Sequence, residues 1–162
     1  MKKILLILMA VFAFGIQNVS AQDAPLKIVT GHPDFKIQIK RCAASGNTVL
    51  IDIVFNNIGI SDIEEMNVYG GSWGSEAFDD DGNIYQSRAL KVKAANKPSF
   101  DSEETGWFSL PTGVPVRLTI NIEGVPQSVE SISRLKLRLY CQSWGINYEK
   151  PVLISNIPIT RD

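Results

Sequence analysis

Hydrophobic and polar residues alternate with a period of two along several stretches of this chain. Val116, Leu118, Ile120 and Ile122 fall on one side and Arg117, Thr119 and Asn121 on the other. The same beat runs through Leu135, Leu137, Leu139 and Cys141, and through Phe35, Ile37 and Ile39. Residues two apart share a face only on a β-strand, so each stretch predicts a strand with one buried side. Thr48 to Asn56 carries Val49, Ile51, Ile53 and Phe55 on one face and Leu50, Asp52, Val54 and Asn56 on the other, which predicts a central strand. Ala43 to Asn47 turns the chain between this strand and the one before it.

Shorter candidates fill the middle. Met66 to Tyr69 and Ala77 to Phe78 flank the glycine-rich loop Gly70 to Ser75, Asp80-Asp81-Gly82-Asn83 is a turn leading into Ile84 to Val92, and Lys93 to Glu104 is a polar surface loop. Trp107 to Leu110 and Val152 to Ile159 are further strands, with Pro111-Thr112-Gly113 a turn. Only two places invite helix: Ser61 and Glu64 have capping-box spacing for a single turn, and Val125 to Ser133 has room for another. About seven to nine short strands without a long helical period predict an all-β antiparallel sandwich.

The first residues break this pattern. Met1-Lys2-Lys3, an apolar run of 11 residues from Ile4 to Phe14, and Val19-Ser20-Ala21 form the three parts of a signal peptide, with cleavage expected after Ala21. The run is shorter than the roughly 20 residues of a spanning helix, and no cysteine near the cut offers a site for lipid. A chain exported to the periplasm or beyond is expected, with no membrane insertion after cleavage. Residues 22–33 read as a tether and 34–162 as one sandwich domain.

Composition narrows the chemistry. The 162 residues suffice for one ordinary core. Sixteen Lys and Arg against 17 Asp and Glu give a net charge of −1, and loss of the two leader lysines makes it 14 − 17 = −3. That balance argues against nucleic acid as a partner. The one histidine, His32, falls in the tether, away from any serine or cysteine it could activate. Cys42 and Cys141 are the only cysteines, and an oxidising compartment favours a disulfide between them over two buried thiols. Closing a loop of 141 − 42 = 99 positions is worth about 4.7 kcal/mol. Cys141 shares the parity of the core leucines; Cys42 is off the parity of Phe35, Ile37 and Ile39 and faces inward only if a bulge near Lys40 or Arg41 shifts the strand.

Three groups of residues resemble the secreted bacterial immunoglobulin-like sandwiches grouped as domains of unknown function. They are Val54-Phe55-Asn56-Asn57 closing an early strand, Asp80-Asp81-Gly82-Asn83-Ile84-Tyr85 at a turn, and Leu110-Pro111 followed by Gly113-Val114-Pro115 before a strand. The resemblance spans Phe35 to Ile159 and implies an immunoglobulin-like β-sandwich with a non-enzymatic role. The chain departs from antibody-type domains: the first tryptophan after Cys42 is the distant Trp73, and Leu139 stands where a tyrosine corner places Tyr.

Two clusters carry candidate sites. Asp79, Asp80 and Asp81 could contribute to a calcium site, but Ile84 and Leu90 stand where an EF-hand needs Gly and Glu, and a hairpin turn explains the run more simply. Beyond this weak calcium site no cofactor is expected. Tyr69, Trp73, Trp144 and Tyr148 are candidate ligand contacts, able to stack on a sugar or grip a peptide; Trp107 and Phe108 sit in a strand and read as core. The Gly70 to Ser75 loop lacks the Lys-Ser or Lys-Thr of a phosphate cradle and reads as a flexible turn. The expected function is an exported binding or interaction module, its partner a protein or cell-surface component; a structural piece of a surface assembly is a further reading, and it predicts a homo-oligomer. The alternatives are a glycan-binding module using the tryptophans and a small hydrolase using carboxylates such as Asp79 to Asp81 or Glu103 and Glu104.

Overall fold

The computed structural model describes residues 24–94, 105–141 and 150–161. Among them lie twelve strands in two sheets and no helix. The second sheet is the more regular. In it β12 (Thr160–Arg161), β2 (Phe35–Ser45), β3 (Thr48–Asn57), β9 (Pro115–Glu123) and β7 (Leu90–Ala94) lie side by side in that order. The β2–β3 and β3–β9 ladders run nearly the full strand lengths, and only the short β12–β2 contact is parallel. β3 is the central strand its two-sided hydrophobicity predicts.

The first sheet orders β1 (Lys27–Val29), β11 (Val152–Pro158), β10 (Ser131–Tyr140), β4 (Ile63–Tyr69) and β8 (Thr105–Leu110), with β5 (Glu76–Asp79) and β6 (Ile84–Tyr85) attached beside β10. The inner faces of the two sheets supply one core: Val49, Ile51, Ile53 and Phe55 from β3 and Leu118, Ile120 and Ile122 from β9 share it with Leu135, Leu137, Val152 and Ile154, all fully buried. Each such side chain contributes about 1.5–3 kcal/mol when removed from water. The expected all-β, mainly antiparallel sandwich is therefore realised among the described residues, with nine strands of four residues or more and three shorter ones.

The chain changes sheets where one continuous run from Ile84 to Val92 was expected. β6 ends at Tyr85, Ser87 adopts a positive φ of 54°, and β7 begins at Leu90 on the opposite sheet. Two other expectations fail for local reasons. Ser61 to Met66 forms no helical turn, because the Asn57 side chain donates to the Ser61 carbonyl and Ile63 enters the core opposite Leu110. One isolated turn cannot offset its own nucleation cost against such pairing. Val125 to Ser133 likewise holds no helix. The tether is not wholly loose: Lys27 to Val29 form an edge strand antiparallel to β11. Residues 1–21, the stretch expected to be a signal peptide, lie outside the described ones.

The bulge in β2 is present. Register shifts between Ile39 and Arg41, odd-numbered residues face the core before it, and Cys42 and Ala44 do so after it. Cys42 and Cys141 are both buried, but they remain thiols, and the expected disulfide is corrected by position. Cys42 lies three pairs from the Ser45 end of its hairpin. Arg161 joins that same end, through Gly46, to the segment at Val129 that leads into β10. Cys141 follows the far end of the ten-residue β10, about 30 Å along at strand rise. Disulfides span Cα separations of only about 4.4–6.8 Å.

Candidate binding face

β10 is the spine of the first sheet, and its edge away from β11 is shared. Arg138 to Tyr140 pair with β4, Lys136 to Ile132 pair with β5, and the six residues from Gly70 to Ser75 have no place in the ladder between them. They are extruded, but they are not slack. Fully buried Ser75 stands in for the missing ladder: its hydroxyl donates to the Tyr69 carbonyl and accepts from the Arg138 amide at 3.0 Å. The Trp73 and Ser75 amides donate to the Gly70 carbonyl, and the Gly71 amide donates across to Leu90 at 2.8 Å. Gly71 is required there, since a Cβ would lie 2.4 Å from the backbone of Ser87. The loop is thus a pinned platform rather than the flexible turn its glycines suggest.

What the platform presents is Trp73, 55% exposed, with its ring 6.1 Å from that of half-buried Tyr69 and inclined to it by 51°. The Arg138 guanidinium donates to the Trp73 carbonyl at 3.1 Å. Trp107 joins the same outer face. In the register, Tyr140, Asn67 and Trp107 form one row across β10, β4 and β8, next to the row of Arg138, Tyr69 and Thr105. Trp107 is half exposed where burial was expected, because it points out of the sheet while its neighbour Phe108 packs inward. Between its flanking aromatics, Asn67 is only 2% exposed and its Oδ1 accepts no hydrogen bond. Trp144 and Tyr148, the other two sequence candidates, lie outside the described residues, as do Glu103 and Glu104.

A second exposed apolar group was missed by sequence reasoning. Ile58, Ile60 and Val114 project from the β3–β4 and β8–β9 connections, Ile60 completely. Buried Asn57 holds these connections together, donating to the Ser61 and Leu110 carbonyls and accepting from the Gly59 amide. Its own carbonyl accepts from Gly113 at 2.8 Å. The available signal was Ile58-Gly59-Ile60, two isoleucines within turn chemistry where polar residues are the rule.

The three aspartates diverge rather than converge on one point. Asp79 is buried, accepting from the Asn83 amide (2.8 Å), the Asn83 side chain (2.9 Å) and the Tyr85 hydroxyl. Burial opposes its ionisation, but the hydrogen bonds from Tyr85, Asn83 and the Asp81 backbone outweigh it and hold the carboxyl below its ordinary range. The same burial and the facing carboxylate push the Tyr85 phenol well above its ordinary value. Asp80 points away to the start of β10, accepting from the Glu130 and Ser131 amides, and Asp81 lies in solvent. Gly82 supplies the turn's positive φ of 85°. Among the described residues no three acidic, His or Cys side chains come together in a metal-holding group. His32 accepts from the Asp34 amide at 3.3 Å and packs against Phe35, closing the turn into β2.

Fold and face together define an all-β sandwich with a braced aromatic surface. No protein-family model matches the chain, and no curated protein matches it in sequence. Among solved structures it is similar to a family 123 glycoside hydrolase from Clostridium perfringens, a structure described as bearing on glycolipid glycan hydrolysis. That likeness has 13% identity and a TM-score of 0.40, over 85% of this chain and 26% of the hydrolase chain. It is also similar to the ASH/PapD-like domain 7 of human CEP192, at 12% identity and TM-score 0.37, over 83% of this chain and 89% of that one. No activity is carried over from either. Among the described residues no helix is long and apolar enough to cross a membrane.

Proposed function

We propose that the chain is an exported, non-enzymatic interaction module that grips a protein partner on the outer face of β10, β4 and β8. The reading is supported above all by Trp73. A large aromatic left 55% exposed forgoes much of the gain that burial would bring, and here hydrogen bonds of loop and strand hold it outward. The Trp73 and Tyr69 rings, in contact and inclined by 51°, present a bent rather than a flat aromatic surface. A sugar ring stacks best on a single open face, so a glycan is the less fitting occupant.

A photo-crosslinking residue replacing Tyr69 or Trp107, introduced in the native host, tests this. The expected result is one adduct protein, competed by excess wild-type chain and not by a Trp73→Ala, Trp107→Ala competitor. Equal competition by both sinks the reading. Binding of the wild type but not the double variant to a glycan array transfers the site to carbohydrate.

A further inference from the structure

Five polar residues are buried among the described ones: Asn57, Asn67, Ser75, Asp79 and Asn121. Four are bonded within the fold. Asn57 donates to the Ser61 and Leu110 carbonyls, Ser75 bridges Tyr69 and Arg138, Asp79 accepts from Asn83 and Tyr85, and Asn121 donates to Glu123. Asn67 is the exception: it is 2% exposed, and its Oδ1 accepts nothing. Burying an acceptor without a donor costs stability, so an acceptor kept at that cost points to a donor that arrives from outside the chain.

Its place on the sheet says where that donor comes from. Met66 and Val68 point into the core, so alternation turns Asn67 to the outer face, in the row of Tyr140, Asn67 and Trp107. Directly opposed side chains on one face have Cβ atoms about 4.5–5.5 Å apart, which sets the Trp107 indole beside the amide. That indole is half exposed, and among the described residues no hydrogen bond or ring contact holds it. It is free to swing about its Cα–Cβ bond and uncover Asn67. Tyr69, two residues further along β4, stands on the same face about 7 Å away, with the Trp73 ring 6.1 Å from its own. The unpaired acceptor thus sits between two aromatic groups. Asn56 Oδ1, the other unpaired buried oxygen among the described residues, has Lys36 and Pro115 in its row and no aromatic group.

An extended peptide supplies both missing parts. Each of its residues except proline carries a main-chain N–H, and side chains two apart fall on one side at about the spacing of Asn67 and Tyr69. We propose that Asn67 Oδ1 accepts a main-chain N–H from an extended segment of the partner, with Trp107 swung aside against one of its side chains and the Trp73–Tyr69 pair against another. The inference rests on the interaction-module reading and gives that partner its chemistry.

Asn67→Leu and Asn67→Val, which delete the unpaired acceptor, provide the test. Melting temperatures of both free variants are expected at or above that of wild type, while crosslinking from a photo-reactive residue at position 69 falls about tenfold in the Asn67→Leu background. A purely structural Asn67 gives the reverse pattern. A lower melting temperature in both variants, or undiminished crosslinking, overturns the proposal. Absence of any adduct with Asn67 intact sinks the interaction module and this inference with it, whereas an adduct indifferent to Asn67 sinks this inference alone. Short peptides selected on the wild-type protein from a displayed random library then identify the donor. N-methylation of one peptide position should weaken binding to wild type about tenfold and leave binding to Asn67→Leu unchanged. Equal effects on both proteins, a library that yields no binder, or displacement of the peptide by di-N-acetylchitobiose, whose acetamido N–H offers the same donor on a sugar, each overturn the proposal.

Discussion

At the C-terminal end of β5 the turn from Asp79 to Asn83 folds its polar groups onto one buried carboxylate, whereas at the N-terminal end the loop from Gly70 to Ser75 spends its hydrogen bonds holding a tryptophan out in water. Both segments are short, polar in sequence and rich in turn residues. They differ in what the bonds accomplish. The Asp79 turn satisfies itself, so its acidic run serves structure. The Trp73 loop satisfies its backbone and leaves its largest side chain without full cover, which is the feature the proposed partner would use.

The sharpest way to break the contrast is at Gly71. A Gly71→Val substitution drives side-chain atoms into the Ser87 backbone, 2.4 Å from where its Cβ must sit, and is expected to cost about 3 kcal/mol. Urea unfolding measures this; a loss below about 1 kcal/mol means the loop relaxes freely and was never pinned. At the other end, Asp79→Ala leaves the Tyr85 hydroxyl and the Asn83 donors without their acceptor, at a cost of about 2–3 kcal/mol.

The same carboxylate sets a pH dependence. Its folded pKa lies below the unfolded value of about 3.9, so its contribution is present above that pH and lost as pH falls through the folded value. Tyr85 has the opposite edge: its raised pKa makes its contribution complete below the unfolded value of about 10 and lost as pH rises through the folded one. Melting temperatures from pH 2 to 11 should decline at both edges, and the Asp79→Asn variant should show a shallower acid decline. An unchanged acid limb in that variant counts against the buried network.

The cysteines give a smaller and more decisive signal. Burial, opposed only in part by Arg161, pushes the Cys42 thiol up to about 12. Both sites should resist alkylation in the native state and take up label under denaturant without reductant, while reductant leaves the melting temperature unchanged. A denatured chain that needs reductant before labelling restores the disulfide. Smallest in stability is Trp73→Ala, expected within about 0.5 kcal/mol of wild type while abolishing partner crosslinking.

Much of the fold was legible because burial on a strand leaves a two-residue imprint. The stripe of β9 and the two-sided hydrophobicity of β3 became the centre of the regular sheet, and the off-parity Cys42 alone pointed to the bulge at Lys40. Legibility failed where a residue's surroundings come from elsewhere in the chain. Trp107 and Phe108 are sequence neighbours, yet only the outer position of β8 on its sheet decides that one is wet and the other packed. The cysteine pairing failed because compartment chemistry says whether thiols can oxidise, and only topology says whether they can meet. The candidate face was half visible: Tyr69 and Trp73 come together as their spacing allowed, while Trp107 and the Ile58–Ile60 tip depended on which surfaces the sandwich leaves open.

The extra residue in β2 behaves as a phase inverter. Upstream of it the strand shows its odd positions to the interior, downstream its even ones, so one backbone irregularity decides which of Arg41 and Cys42 meets solvent. Were Lys40 paired in the ladder like its neighbours, the alternation from Ile39 would carry the guanidinium indoors and swing the thiol outside, whereas removing Lys40 altogether leaves both where they are. The unpaired residue is thus what keeps a charge in water and a thiol in the core.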